Sequence, residues 1–276
     1  MKLLPFSITL LFIITGNFLY GEIALAQLQI APSAIYMNEH NTTERIVIRN
    51  SSEEPVEVEI ELIFGYPTTD LHGKVYFKHV TVDESQPSAV EWIRIYPRFF
   101  VLAPGERQTV RFAARPPGDL PIGEYWARPA VVAQLPSVKD SNEGNNITTQ
   151  LNLKRRTILA LNYRNGEVNT GITIDKLSAE LEEDIINVTT HLQRLGNAAY
   201  IGHYEVILTD LQGRTHKTEK KEIAVYNDQM RTFRFDSGGL DSGTYNVELK
   251  LYTRDRSSDG IIPAPSSTST TTFTIP

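Results

Sequence analysis

Residues 56–62 read Val-Glu-Val-Glu-Ile-Glu-Leu, a strict alternation of apolar and acidic side chains. A period of two places all the apolar residues on one face of an extended strand, whereas a helix would scatter them around its axis. The segment is expected to form a strand with one buried and one wet face, as in an antiparallel sheet. The same texture recurs along the chain. Arg45–Arg49 is a β-branched run ended by Asn50-Ser51-Ser52, and Val90–Tyr96 is stopped by Pro97. Gln108–Ala113 alternates again after the turn Ala103-Pro104-Gly105. Glu124–Gln134 is strand-like, Ser137–Asn146 reads as a long exposed loop, and Thr148–Tyr163 runs up to Arg164-Asn165-Gly166. A count of about seven short strands over this stretch is the pattern of an immunoglobulin-like sandwich.

A second series follows: Gly171–Ala179, Ile185–Leu192, His203–Thr209, Thr215–Val225, Arg231–Phe235, Gly243–Tyr252 and Thr268–Ile275. Turn clusters separate its members, among them Leu195-Gly196-Asn197 and Asp210-Leu211-Gln212-Gly213. The expected fold class is all-β: two immunoglobulin-like β-sandwich domains in tandem after a signal peptide. The expected bounds are 1–26 for the signal peptide, 27–165 for the first sandwich and 171–276 for the second. Lys2, the largely apolar Leu10–Phe18 and the small-x-small pattern Ala24-Leu25-Ala26 predict cleavage between Ala26 and Gln27. The alternative, an uncleaved anchor, is disfavoured by the interruptions at Pro5, Ser7, Thr9 and Gly16-Asn17. No later segment is apolar for long enough to span a bilayer, so no membrane span is expected in the mature protein, which is expected to be soluble outside the cytoplasm.

Composition narrows the chemistry. The chain has no cysteine, which excludes thiol catalysis, thiolate metal sites and disulfides. Its net charge of −6 disfavours nucleic acid as a partner. The six histidines form none of the zinc-protease spacings, and no G-x-S-x-G nucleophile elbow occurs. His72 and His79 fall on the two arms of a possible hairpin, where solvated histidines are the simpler reading. Adjacent pairs such as Glu53-Glu54 and Glu182-Glu183 point to opposite faces of a strand and cannot act as one acid/base dyad. The charge run Lys217–Glu222 reads as a solvated edge strand. No enzymatic activity and no cofactor or metal are expected.

One stretch stands out. Trp92 to Phe112 contains P-x-x-F-x-L-x-P-G-E-x-Q-x-V-R, from Pro97 to Arg111, and is followed by Glu124-Tyr125 and by Leu159-Ala160-Leu161-Asn162-Tyr163-Arg164. Over roughly residues 28–165 this resembles the first domain of the periplasmic pilus-assembly chaperones, the PapD-like family; the second half matches in architecture only. The resemblance implies two sandwiches and partners among exported pilin-like or surface subunits, with an outer-membrane usher as a further partner. It implies that the last strand of the first domain is lent to a subunit that lacks one. The matching strand is Thr149–Arg155, with Leu151 and Leu153 on one face, Arg155 continuing that face, and Gln150, Asn152 and Lys154 on the other. Packing of Leu151 and Leu153 in the chain's own core is the competing reading. The family also binds the subunit's terminal carboxylate with two cations; those positions fall on Ala34 and Ala160 here, and Arg155 and Arg156 are the nearby candidates to replace them. The expected function is a periplasmic chaperone that binds and caps fimbrial or related surface subunits by β-strand donation. The alternatives are a non-enzymatic structural or adhesive envelope protein and a secreted hydrolase on a β-sandwich scaffold.

Overall fold

The structure is a computed structural model that describes residues 28–70, 74–81, 86–134, 138–140, 149–151, 153–254 and 260–276. The signal-type segment, His72, Asn152 and most of the stretch 137–146 lie outside the described residues. All regular structure among the described residues is β-strand, and none of it is a helix long and apolar enough to cross a membrane.

Two sheets face one another in the first half. One has strands β1 (Leu28–Ala31), β3 (Thr43–Asn50), β9 (Arg107–Ala114) and β7 (Ile93–Tyr96), in the order β1-β3-β9-β7. The other runs β2 (Ala34–Asn38), β14 (Ala160–Asn165), β10 (Gly123–Gln134), β4 (Val56–Ile63) and β8 (Phe99–Leu102), with β13 (Lys154–Ile158) also paired to β10. Two hairpins extend this body: β5 (Gly65–Thr69) with β6 (Val75–His79), and β11 (Val138–Asp140) with β12 (Thr149–Leu151). The period-two pattern is realised as a core: Val56, Val58 and Ile60 of β4 pack with Ile46 and Ile48 of β3 and Val110 and Phe112 of β9. Part of the expected loop 137–146 is thus strand, because residues 138–140 pair with 149–151.

The Pro97–Arg111 motif does structural work. Leu102 is buried in the core, and Gly105 takes a φ of 77°, which suits glycine in the turn after Pro104. Glu106 closes that turn: its Oε2 accepts from the Ala103 N–H at 2.8 Å. Asn50, fully buried, donates from Nδ2 to the Glu54 and Leu102 carbonyls and so ties the early turn to β8. These side chains supply partners for backbone groups in and beside the two turns.

The second half is a three-stranded sheet, β15 (Thr170–Glu182), β16 (Ile185–Gly196) and β19 (Gln229–Asp236), facing a four-stranded one, β18 (Thr215–Val225), β17 (Tyr200–Asp210), β20 (Gly243–Tyr252) and β21 (Ser267–Ile275). Its core includes Tyr200, Tyr204, Val206, Leu208, Val247 and Leu249. The charge run 217–222 lies on β18, at the edge of its sheet, where charged side chains discourage pairing with other chains. The β15–β16 connection is a tight turn with Glu183 at a φ of 54°.

The β17–β18 turn is organised by Asp210. Its carboxylate faces His216 Nε2 at 3.0 Å, accepts from the backbone N–H groups of Gln212 and Arg214, and pairs with Arg214 Nε at 3.0 Å. The His216 hydrogen bond, followed by that from the Arg214 backbone, lowers the carboxyl pKa from its ordinary value of 3.8 to about 2. A lowered carboxyl pKa means that the folded state binds this proton less readily than the unfolded chain does. The stabilisation is therefore fully present above 3.8 and is lost as pH falls through about 2. Urea unfolding of wild type and Asp210→Asn should show the variant less stable at pH 6, with the gap narrowing steadily toward pH 2. A gap independent of pH would contradict this assignment.

Candidate functional site

The chain switches sheets at its start: β1 pairs antiparallel with β3, whereas β2 pairs parallel with β14. The β2–β14 register begins at Ala34 opposite Ala160 and runs to Asn38 opposite Arg164, so β2 stops short of β13. β13 pairs with β10 from Ala130 opposite Ile158 to Gln134 opposite Lys154, and β10 meets β4 on its other side over the same residues. Among the described residues, the outer edge of Lys154–Ile158 has no strand beside it. An edge of this kind presents unpaired N–H and C=O groups, a template for another chain.

The register also separates the two faces of β13. Arg155 lies beside Ala133, which lies beside Val58; Thr157 lies beside Val131, which lies beside Ile60. These four neighbours belong to the first core, so Arg155 and Thr157 occupy the core-side row of the edge strand. The row enters the chain's own core at Leu159, which is 4% exposed. Leu153, two residues before Arg155, is 36% exposed and stands outside the buried core cluster. Leu151 is placed by its backbone in β12, opposite Val138, and its side chain lies outside the described ones.

Arg156 projects to the opposite face, where it is ion-paired with Glu61 of β4. The structure therefore does not bring Arg155 and Arg156 together, and the two alternate as adjacent strand residues must. The outer face beyond Glu57 and Glu59 also carries Phe99 and Val101 of β8, both largely exposed.

Between the two sandwiches lies an open cleft of about 830 Å³. Ala34, Tyr36 and Arg164 line one wall, and His203, Glu222 and Ile261 line the other. Neither Ala34 nor its strand partner Ala160 offers a charge. The Arg164 guanidinium is already engaged: Nε donates to Glu124 Oε2 at 2.9 Å, and the group lies 4.9 Å from the Tyr36 ring centre. Burial, then the neighbouring Tyr226, pushes the Tyr36 hydroxyl up to about 12, so it stays a neutral donor at physiological pH. Gly260, at a φ of +74°, presses on Tyr36; a Cβ there would come within 2.4 Å of the ring.

Sequence reasoning missed the joint that frames this cleft. Alternate residues of β10 serve two different interiors. Ala127, Val131 and Ala133 enter the first core, while Glu124, Trp126 and Arg128, pointing the other way, are buried against the second sandwich. Glu124 Oε1 accepts from Asn162 Nδ2 at 2.9 Å and from the Ala199 backbone N–H at 3.1 Å. Tyr226 donates to Asn162 Oδ1 at 3.2 Å, and Arg128 lies 4.4 Å from the Tyr226 ring centre. Phe64, Trp126, Ala199 and Tyr226 form a separate apolar cluster across the joint. The one signal for it in the sequence is the lack of alternation in Glu124–Gln134, as expected of a strand covered on both faces. Among the described residues no three His, Cys, Asp or Glu side chains are grouped to hold a metal ion.

No protein-family model matches the chain, and no curated protein matches it. Solved structures that resemble it include the YadV chaperone, at 12% identity and a TM-score of 0.46, covering 89% of this chain and 99% of that one. Another is the CsuC–CsuE chaperone–tip adhesion subunit pre-assembly complex from Acinetobacter baumannii, at 12% identity and a TM-score of 0.44, with 82% of this chain and 93% of that chain covered. The periplasmic chaperone SfaE matches at 12% identity and a TM-score of 0.41, over 83% of this chain and 94% of that one.

Proposed function

We propose that the chain is a periplasmic chaperone that binds and caps fimbrial or related surface subunits by β-strand donation. The observation that carries this reading is the open outer edge of Lys154–Ile158, entered through an exposed Leu153. A sandwich that lacks a strand exposes apolar surface and unpaired edges, both of which promote aggregation. An added strand supplies backbone hydrogen bonds and fills pockets with alternate side chains. The sequence resemblance of residues 28–165 and the signal-type N-terminus support the same reading. The rival, an adhesive envelope protein, requires this strand to be covered; its open edge counts against that. No catalytic step and no cofactor enter the proposal.

Burial of one leucine in a partner contributes about 1.5–3 kcal/mol, and replacement by a carboxylate adds a desolvation cost. Co-expression with exported surface subunits, followed by pull-down, tests the reading. The Leu151→Asp, Leu153→Asp variant should recover at least about tenfold less subunit than wild type, a loss of about 1.4 kcal/mol or more. The urea midpoint of Leu153→Asp alone should stay near that of wild type, because Leu153 is exposed and outside the core. Equal recovery by both proteins would remove strand donation.

A further inference from the structure

We infer that Arg155 sets partner specificity, by pairing with an Asp or Glu side chain that lines the groove of the captured subunit. This inference rests on the strand-donation reading and adds the chemistry that the partner must offer. The row that would enter a partner's interior runs Leu153, Arg155, Thr157, so its middle member is a cation. Arg155 is exposed, and among the described residues it makes no ion pair. Its sequence neighbour Arg156 is already satisfied by Glu61 on the other face. In the free chain water solvates the Arg155 guanidinium. Once an edge-paired partner covers the row, that solvation is lost, and a buried guanidinium without a carboxylate is strongly disfavoured. A carboxylate in the groove matches its fork of donors.

The position of Arg155 also separates this carboxylate from a chain terminus held in the cleft. Five residues of strand divide Arg155 from Ala160, about 16 Å at the ordinary strand rise. The cleft wall at Ala34, the strand partner of Ala160, is therefore beyond the reach of this side chain, and a carboxylate that meets Arg155 belongs to a residue along the paired strand.

The sign of one substitution decides the matter. Each exported subunit recovered on the wild-type chain is expressed singly with wild type, Arg155→Leu, Arg155→Glu and Leu153→Asp, and the captured amount is measured. Arg155→Leu makes the row more apolar. If the row needs only apolar side chains, Arg155→Leu captures as well as wild type or better, and the inference is overturned. If Arg155 meets a carboxylate, Arg155→Leu leaves that group buried alone and capture falls about tenfold or more, with Arg155→Glu lower still. Replacing the facing subunit carboxylate by Arg should then restore capture by Arg155→Glu; failure at every Asp and Glu of the groove would overturn the inference. The Leu153→Asp arm is independent: undiminished capture there removes strand donation itself, whereas lost capture there with undiminished capture by Arg155→Leu removes only the role of Arg155.

Discussion

Replacing Glu124 by alanine should destabilise the protein by about 3–5 kcal/mol, the usual result of removing one partner from a buried ion pair. The Glu124 side chain is fully buried and that of Arg164 is 16% exposed. The substitution leaves the Arg164 guanidinium without its carboxylate, and deprives Asn162 Nδ2 and the Ala199 N–H of their acceptor. Because Ala199 belongs to the second sandwich, the lost bonds cross the joint. The expected signature in urea is a lower midpoint together with a broader transition, as the two sandwiches cease to unfold as one. Glu124→Gln keeps an acceptor for the Ala199 N–H and should lose less. A Glu124→Ala loss under about 1 kcal/mol would mean that water replaces the carboxylate and that the joint is wetter than the structure has it.

Trp126→Ala should cost about 3–5 kcal/mol as well, in the range of large-to-small aromatic substitutions. Trp126 stacks on Phe64, with ring centres 5.9 Å apart, and meets Tyr226 edge-on at 4.9 Å. Its removal opens a void between the sandwiches and releases the Tyr226 ring, whose hydroxyl holds Asn162. The indole Nε1 is buried without a hydrogen-bond partner among the described residues. Trp126→Phe keeps a ring in the cluster and removes that unpaired N–H, so it should cost clearly less than Trp126→Ala. Denaturation of the two variants side by side checks the contrast; equal losses would show that a phenyl ring does not replace the packing of the indole at this position.

Both effects lie in a part of the molecule that sequence reading left blank. Glu124 and Tyr125 entered the argument only as the start of a strand-like run and through a family resemblance, with no role in a joint. The motif that carried the resemblance, Pro97–Arg111, proved to hold turns and core: Leu102 packs inside and Glu106 caps the turn at Gly105. Such a motif is legible because turn chemistry is local. The candidate donor strand was legible only in part. Its alternation placed Leu153 and Arg155 in one row, but alternation does not say whether a row faces the chain's own core or an open edge.

The strands themselves followed from sequence. Thr215–Val225 and Gly243–Tyr252 have the expected bounds, and the alternation of β4 fixes which of its residues are buried. These are local consequences of a two-residue period and of turn residues that favour one backbone conformation. Tertiary structure alone decided which segments cover the second faces of β10 and β14, that Arg156 is held by Glu61, and that β2 begins only past the end of β13. Each of these depends on where a distant segment comes to lie. Burial and pairing are relations between segments, and a side chain carries no local mark of the neighbour that will cover it.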